Sequence, residues 1–326
     1  MLVNSETLAR LAKIPTVRVS AAEPLALHTR FGIGGPADLY VEAARLEAFL
    51  DALRVARAGG LDYAVIGAGT NLVVADEGFR GLVLRFTGCK IEARGPRLIA
   101  ESGAELQSLV DHANGLGLAG LETLAGMPGS VGGAVYGNAG AYGRSISEVV
   151  SEVYVFDGDM VRGLHRAECQ FAYRESIFKR RKDWVILTAE LTLEPSDSSA
   201  LQRRSEEILA LRLRKYPPEM KCAGSVFKNL LWRDLPPGLR DAVPAEVVRE
   251  GKVPAAWFLE QAGCKGLSQG GLRVADYHAN LVYNAGAGTA RDLCALIAEM
   301  KRRVRARFGL DLEEELQYLG RNPGRR

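Results

Sequence analysis

The densest run of chemistry-bearing residues in this 326-residue sequence is Gly126-Met127-Pro128-Gly129-Ser130-Val131-Gly132-Gly133-Ala134, followed by Asn138-Ala139-Gly140-Ala141-Tyr142-Gly143. Seven glycines in the eighteen residues from Gly126 to Gly143 exceed what turns alone require. Backbone N–H groups bared by missing Cβ atoms can form concave nests for anions, so such a run suits a pyrophosphate. The competing reading is a tight multi-turn connection, although loops of this length are often functional. A second, shorter loop is Gly67-Ala68-Gly69-Thr70-Asn71-Leu72, where Asn71, like Ser130 in the first, adds a side-chain donor. Neither this loop nor Gly32-Ile33-Gly34-Gly35-Pro36-Ala37 fits a Rossmann turn. The first has Leu72 at its third glycine position, and in the second Pro36 leads into the strand-like Leu39-Tyr40-Val41 where a helix should open.

Other candidates are ambiguous one at a time. Ser225 follows Gly224, which is common turn chemistry. Arg174 follows a tyrosine, as a surface arginine would, and Glu315 closes a Glu-Glu-Glu run that suits a solvated edge. At strand spacing, however, Glu313, Glu315 and Gln317 share one face while Leu312, Leu316 and Tyr318 lie off it, and a polar face at a strand end can line a site. Taken singly, His278 suits a structural histidine, and the basic cluster Lys301, Arg302, Arg303 and Arg305 compensates a helix dipole. Cys89, Cys169, Cys222, Cys264 and Cys294 are odd in number and lack C-x-x-C spacing, which argues against a disulfide framework or a zinc site.

These residues need elements to position them. Leu46, Phe49, Leu50 and Leu53 repeat at helical spacing before the Gly59-Gly60 stop, and Tyr63 to Ile66 and Leu82 to Phe86 read as strands. Leu106 to Gly115 is a short amphipathic helix, the stretch from Gly117 to Gly143 is loop-dominated, and Val149 to Phe156 and Trp184 to Leu193 are strands. The polar run Pro195 to Ser199 marks a boundary near residue 198. Beyond it come a charged helix through Leu211, the Pro217-Pro218 break, a helix at Ala255 to Ala262 and a strand at Asn280 to Asn284. A long helix starts at Thr289, with Asp292 set for a capping box. The net charge of +3 demands neither nucleic acid nor a membrane surface, and no apolar run is long enough to span a bilayer, so the expected compartment is the cytoplasm.

Several motifs, in order, resemble the UDP-N-acetylenolpyruvoylglucosamine reductases of peptidoglycan precursor synthesis. They are His28-Thr29-Arg30-Phe31-Gly32-Ile33-Gly34-Gly35, Gly69-Thr70-Asn71-Leu72 with Asp76-Glu77-Gly78-Phe79, and the Gly126 to Gly143 loops. Then come Tyr173-Arg174-Glu175-Ser176, Ala223-Gly224-Ser225-Val226-Phe227-Lys228-Asn229, Gly263-Cys264-Lys265-Gly266, His278-Ala279-Asn280 and Leu312-Glu313-Glu314-Glu315. The resemblance implies an α+β chain with an FAD-binding domain of the vanillyl-alcohol-oxidase (PCMH) type over 1–198, in lobes of about 1–86 and 87–198. An α+β substrate domain over 199–326 follows, its final strand 312–319 returning to the active site.

The family's reaction uses FAD and NADPH to reduce UDP-N-acetylglucosamine enolpyruvate. Such an alkene accepts hydride only when polarised through its carboxylate, so the site needs a cation, an acid and a hydride source. The resemblance implies hydride from flavin N5 to C3 and a proton from Ser225 to C2, with Lys215 or Lys228 lowering the cost of a transient alkoxide, and Arg174 and Glu315 stabilising the enolate-like intermediate. It implies FAD contacts from Gly67, Ala68, Gly69, Thr70, Asn71 and Leu72, and from Gly126, Pro128, Gly129, Ser130, Gly132, Gly133, Asn138, Ala139, Gly140 and Tyr142. Substrate contacts fall to Lys215, Asn229 and His278. Two features depart from the family pattern: Leu230 replaces the proline after Lys228-Asn229 and opens an extension to Pro254, and the interval Ser176 to Leu211 is too short for the longer class's extra subdomain. The alternatives are an alcohol or sugar oxidase sharing the FAD domain, and a non-enzymatic flavin- or nucleotide-binding regulatory module.

Overall fold

The computed structural model describes residues 5–321 and divides into two compact units. The first comprises residues up to Glu23, Ala37–Ala68 and Arg80–Pro218; the second comprises Pro24–Pro36, Gly69–Phe79 and the chain from Glu219 on. The chain therefore passes into the second unit twice before entering it for good. The helix Ser198–Lys215, which lies beyond the sequence-based boundary at residue 198, belongs to the first unit.

Two larger sheets and two cores build the first unit. A four-stranded sheet has the order Val17–Pro24, Pro36–Ala43, Phe79–Phe86, Tyr63–Ile66, with the last pair parallel. Helix Leu46–Ala58 buries Phe49, Ala52, Leu53 and Ala56 in the core of this lobe, and Phe49 stacks on Phe86 at 5.1 Å between centroids. The period of 3.6 seen in the sequence is the period of that buried stripe. A five-stranded antiparallel sheet carries the second core, in the order Val161–His165, Val150–Phe156, Val185–Thr192, Arg97–Glu101, Ile91–Arg94. Val185–Thr192 alternates buried and half-buried residues along its length, as a strand with one face on a core should. Helix Leu106–Gly115 packs on this core through Leu106, Leu109, Val110 and Ala113.

The second unit is built on the antiparallel strands Ser268–Gln269, Leu272–Ala275 and His278–Asn284, covered by helices Ala255–Gln261 and Ala290–Phe308. The longer helix starts at a capping box in which Thr289 and Asp292 exchange side-chain and backbone hydrogen bonds, and it stops at Gly309 with φ 66°. Asp76 adds a second cap from far along the chain, accepting from the N–H groups of Ala290 (2.7 Å) and Arg291 (3.0 Å). The extension after Asn229 is closed at its base by Leu230–Leu231 pairing with Lys252–Val253, and it contributes Leu235 and Val243 to the core. Of the expected strand 312–319, only Gln317–Leu319 is regular, pairing in parallel with Leu72–Val74. The residues before it bond to the Ser225 segment instead.

Glycines 34 and 35, which mimic a dinucleotide loop, have a packing role. A Cβ on Gly34 would lie 2.5 Å from the Val74 Cβ, and one on Gly35 would lie 2.2 Å from the Asp76 carbonyl oxygen. No side chain fits there, and Pro36 opens a strand as its context predicts.

Candidate active site

In the first unit, the glycine run folds around one short helix, Val131–Tyr136, which the loop-dominated expectation did not contain. Ser130 caps it, accepting from the Gly133 N–H at 3.3 Å. The Gly132 N–H donates to the Ser102 carbonyl at 2.8 Å. Both N–H groups are committed inside the chain, so an anion nest at Gly132-Gly133 is not what these glycines provide. They provide closeness: a Cβ on Gly132 would sit 2.8 Å from the Ser102 Cβ. A Cβ on Gly67 would sit 2.7 Å from the Ser130 Oγ, so the two glycine loops meet at this point. The buried Ser130 hydroxyl accepts from Gly133, which leaves its proton to give.

Beyond the helix, Gly140–Ala141 and Arg144–Ser145 form a hairpin whose two-residue tip is Tyr142 (φ 51°) and Gly143 (φ 82°). Two positive φ values match a hairpin turn that ordinarily takes Asn-Gly or Gly-Gly. A tyrosine there, 44% exposed, holds a strained backbone and an open ring face, the combination found where a chain meets a ligand. Arg174 is the same kind of outlier. Ala172 and Glu175 exchange two backbone hydrogen bonds of 3.0 Å across Tyr173 and Arg174, and Arg174 has φ 55°, where such a turn favours glycine. Its guanidinium donates to the Gly140 carbonyl at 2.8 Å and lies 5.5 Å from the Tyr173 ring centroid. Ser176 Oγ donates to the Tyr136 carbonyl at 2.7 Å, and burial together with the Glu175 carboxylate pushes the Tyr136 phenol up from its ordinary pKa. Lys215 is in the last turn of Ser198–Lys215, its ammonium 5.1 Å from the Tyr216 ring centroid.

The second unit brings Ser225 and Glu315 onto neighbouring segments. Residues 225–228 run between strand His278–Asn284 and residues 313–315. On one side Val226 N–H donates to Asn280 O (3.0 Å) and Ser225 bridges Leu281. On the other, Lys228 N–H donates to Glu313 O (2.9 Å) and Glu315 N–H to Val226 O (2.8 Å). The Asn280 side chain, 2% exposed, completes the clasp by accepting from Phe227 N–H (2.8 Å) and donating to Phe227 O (2.9 Å). A buried asparagine in an otherwise largely apolar strand is the signal that could have found this clamp. Asn71 Nδ2 donates to Glu315 O (3.0 Å), tying the shorter glycine loop to this segment. Gly69 needs its missing side chain, for a Cβ would stand 1.8 Å from the His28 carbonyl.

Other expected residues have partners that define their orientation. Lys228, 8% exposed, is held by Glu313 at 2.6 Å. Asn229 Oδ1 accepts from Ala255 N–H at 3.2 Å, at the start of helix Ala255–Gln261. His278 Nδ1 accepts from Asn280 N–H at 3.2 Å, so the neutral ring carries its proton on Nε2. Glu314 faces away from its neighbours' side, bonding Lys301 at 2.6 Å and the Tyr318 hydroxyl. Among the described residues no cluster of His, Cys, Asp and Glu has metal-ligand geometry, and no helix is long and apolar enough to cross a membrane.

These features fit FAD. Asn71 Oδ1 is buried and has no hydrogen-bond partner within the described residues, an acceptor left for a donor such as a ribityl hydroxyl or a ring N–H. Residues 37–160 match the family model of the FAD binding domain, so the chain is an FAD-dependent oxidoreductase with an α+β fold. Residues 216–319 match the model of the UDP-N-acetylenolpyruvoylglucosamine reductase C-terminal domain. The chain is 61% identical over 311 residues to the UDP-N-acetylenolpyruvoylglucosamine reductase of Solibacter usitatus, covering 95% of this chain and 100% of that one. It is 36% identical to the Carboxydothermus hydrogenoformans enzyme of the same name, over 96% and 99% of the two chains. A crystal structure of UDP-N-acetylenolpyruvylglucosamine reductase from Thermus caldophilus superposes with a TM-score of 0.72 at 31% identity, covering 93% and 99%. The chain belongs to the UDP-N-acetylenolpyruvoylglucosamine reductase family.

Proposed function

We propose that this protein reduces UDP-N-acetylglucosamine enolpyruvate to UDP-N-acetylmuramate for peptidoglycan precursor synthesis, with NADPH as reductant. The observation that carries the reading is the end-to-end identity of 61% with a reductase of that name. When bound, FAD would carry hydride between NADPH and C3 of the enolpyruvyl group. Residues 67–72 and the 126–142 segment, Asn138 apart, would hold it, with the Ser130 hydroxyl donating a hydrogen bond and Asn71 Oδ1 accepting one.

Hydride arrival at C3 places negative charge on C2 and the carboxylate. Arg174, at a glycine-like turn and anchored on the Gly140 carbonyl, supplies the positive charge that stabilises that carboxylate. Ser225 gives C2 its proton, and Glu315, on the neighbouring segment, stabilises the enolate-like intermediate with Arg174. Clamping residues 225–228 on both edges keeps the hydroxyl at one position, which a weak acid needs if it is to act within a single encounter. Lys215, Asn229 and His278 hold the UDP-sugar, the lysine suiting a phosphate and His278 Nε2–H a neutral acceptor. Lys215 or Lys228 lowers the cost of a transient alkoxide at Ser225; Lys228 is held by Glu313 at 2.6 Å. We place the enzyme in the cytoplasm, where NADPH and nucleotide sugars are available.

The test is product formation. Purified protein given NADPH and UDP-N-acetylglucosamine enolpyruvate should yield a UDP-sugar heavier by two hydrogens, with one NADPH consumed for each. Oxygen-dependent NADPH consumption without that product would refute the reading.

A further inference from the structure

Asn138 stands in the glycine run and would be taken for a flavin contact by position alone. Its side chain says otherwise. It is 6% exposed, and both ends of the amide are engaged within the first unit: Nδ2 donates to the Ala172 carbonyl at 2.8 Å and Oδ1 accepts from the Ser147 N–H at 3.3 Å. A carbonyl can only accept and a backbone N–H can only donate, so these partners fix which end of the amide is which. Asn138 itself has φ 44°, a conformation that asparagine tolerates better than other residues with a side chain. Its local geometry and its two partners therefore agree on one residue type.

Ala172 is the first residue of the turn that carries Arg174. That turn is strained at Arg174, with φ 55°, and strained positions persist only when neighbours over-determine them. Three contacts do so from the segment 136–140: Tyr136 O accepts from Ser176 Oγ, Asn138 Nδ2 donates to Ala172 O, and Gly140 O accepts from the Arg174 guanidinium. Of these three, Asn138 is the one that reaches the turn with its side chain, and from beyond the turn Lys179 Nζ donates to the Arg174 carbonyl at 2.6 Å. We infer that Asn138 is a positioning residue for Arg174, holding the arginine's turn in its strained conformation, and is not a ligand of the cofactor. This rests on the role given to Arg174 above.

The test compares Asn138→Ala, Asn138→Asp, Arg174→Ala and the Asn138→Ala/Arg174→Ala pair as purified holoenzymes. Asp keeps an acceptor for Ser147 but sets an oxygen against the Ala172 carbonyl, so it reverses the contact in question and should slow reoxidation at least as much as alanine; if it does not fold, alanine carries the test. Flavin content and the rate of flavin reduction by NADPH should stay at wild-type values in both Asn138 variants. Reoxidation by the enolpyruvyl substrate should slow about tenfold, as expected for loss of one buried hydrogen bond, and the double variant should be no slower than Arg174→Ala. Trypsin should cut after Arg174 about tenfold faster in the Asn138 variants, a readout independent of turnover. Loss of flavin from Asn138→Ala, unchanged cleavage after Arg174, or additive effects in the double variant would overturn the inference. Wild-type reoxidation in Arg174→Ala would instead overturn the role of Arg174, and the inference with it.

Discussion

Replacing Asn280 with alanine should weaken the second unit and the proton donor together. The side chain is 2% exposed and bonds the N–H and the C=O of Phe227 at 2.8 and 2.9 Å, while Phe227 is itself fully buried. Truncation removes one partner from each of two buried backbone groups, and each such loss costs about 1–3 kcal/mol. Water entering the vacated space recovers part of this, so the net expectation is about 3 kcal/mol, within a total stability of about 5–15 kcal/mol. The variant should therefore fold. Urea denaturation followed by circular dichroism should show a midpoint shifted down with an unchanged slope. Asn280→Asp is the informative companion: a carboxylate still accepts from the Phe227 N–H but sets an oxygen against the Phe227 carbonyl, so it should cost at least as much as alanine. Because Asn280 holds residues 225–228, substrate-driven reoxidation of the flavin should fall in both variants while reduction by NADPH does not. A loss under about 1 kcal/mol, or an aspartate variant as stable as wild type, would refute the claim that this amide clamps the Ser225 segment.

Two further effects follow from the same geometry. Asp76→Ala removes the acceptor for two N–H groups at the start of helix Ala290–Phe308; since Thr289 still caps it, the loss should be about 1 kcal/mol by thermal denaturation, and no loss would mean the Asp76 contacts contribute nothing. Burial pushes the Cys169 thiol up to about 12 from an ordinary value of 9.0, so the folded state binds this proton more tightly than the unfolded chain does. The associated stability is present below pH 9 and is lost as pH rises toward 12, at a slope of up to about 1.4 kcal/mol per pH unit. Cys169→Ala should flatten that decline, measured as urea midpoints between pH 8 and about 11, and an identical slope in the variant would contradict the assignment.

The parts of this structure that follow one local rule were legible in the sequence. Helix Leu46–Ala58 announced itself by its apolar spacing, and helix Ala290–Phe308 by its capping box, because both signals lie within a few residues. Helix Val131–Tyr136 was hidden, since Gly132 and Gly133 oppose helix formation and only the Ser130 cap and the packing on Ser102 sustain it. The passages of Pro24–Pro36 and Gly69–Phe79 into the second unit were hidden for a different reason: they are set by long-range partners such as Asp76 with Ala290 and Leu72–Val74 with Gln317–Leu319. In the site, motif order pointed to Arg174, Ser225 and Glu315 as functional, but not to the residues that hold them. Asn138 and Asn280 act through side-chain amides on backbone groups, a use that leaves no periodicity and no spacing to recognise.

The most direct measurement is anaerobic rapid mixing of Ser225→Ala holoenzyme with NADPH, followed by UDP-N-acetylglucosamine enolpyruvate, monitored by flavin absorbance. The flavin should bleach with NADPH as fast as in the wild type and then fail to recover when the substrate arrives. Recovery at the wild-type rate would show that the C2 proton comes from another group and would contradict the role assigned to Ser225.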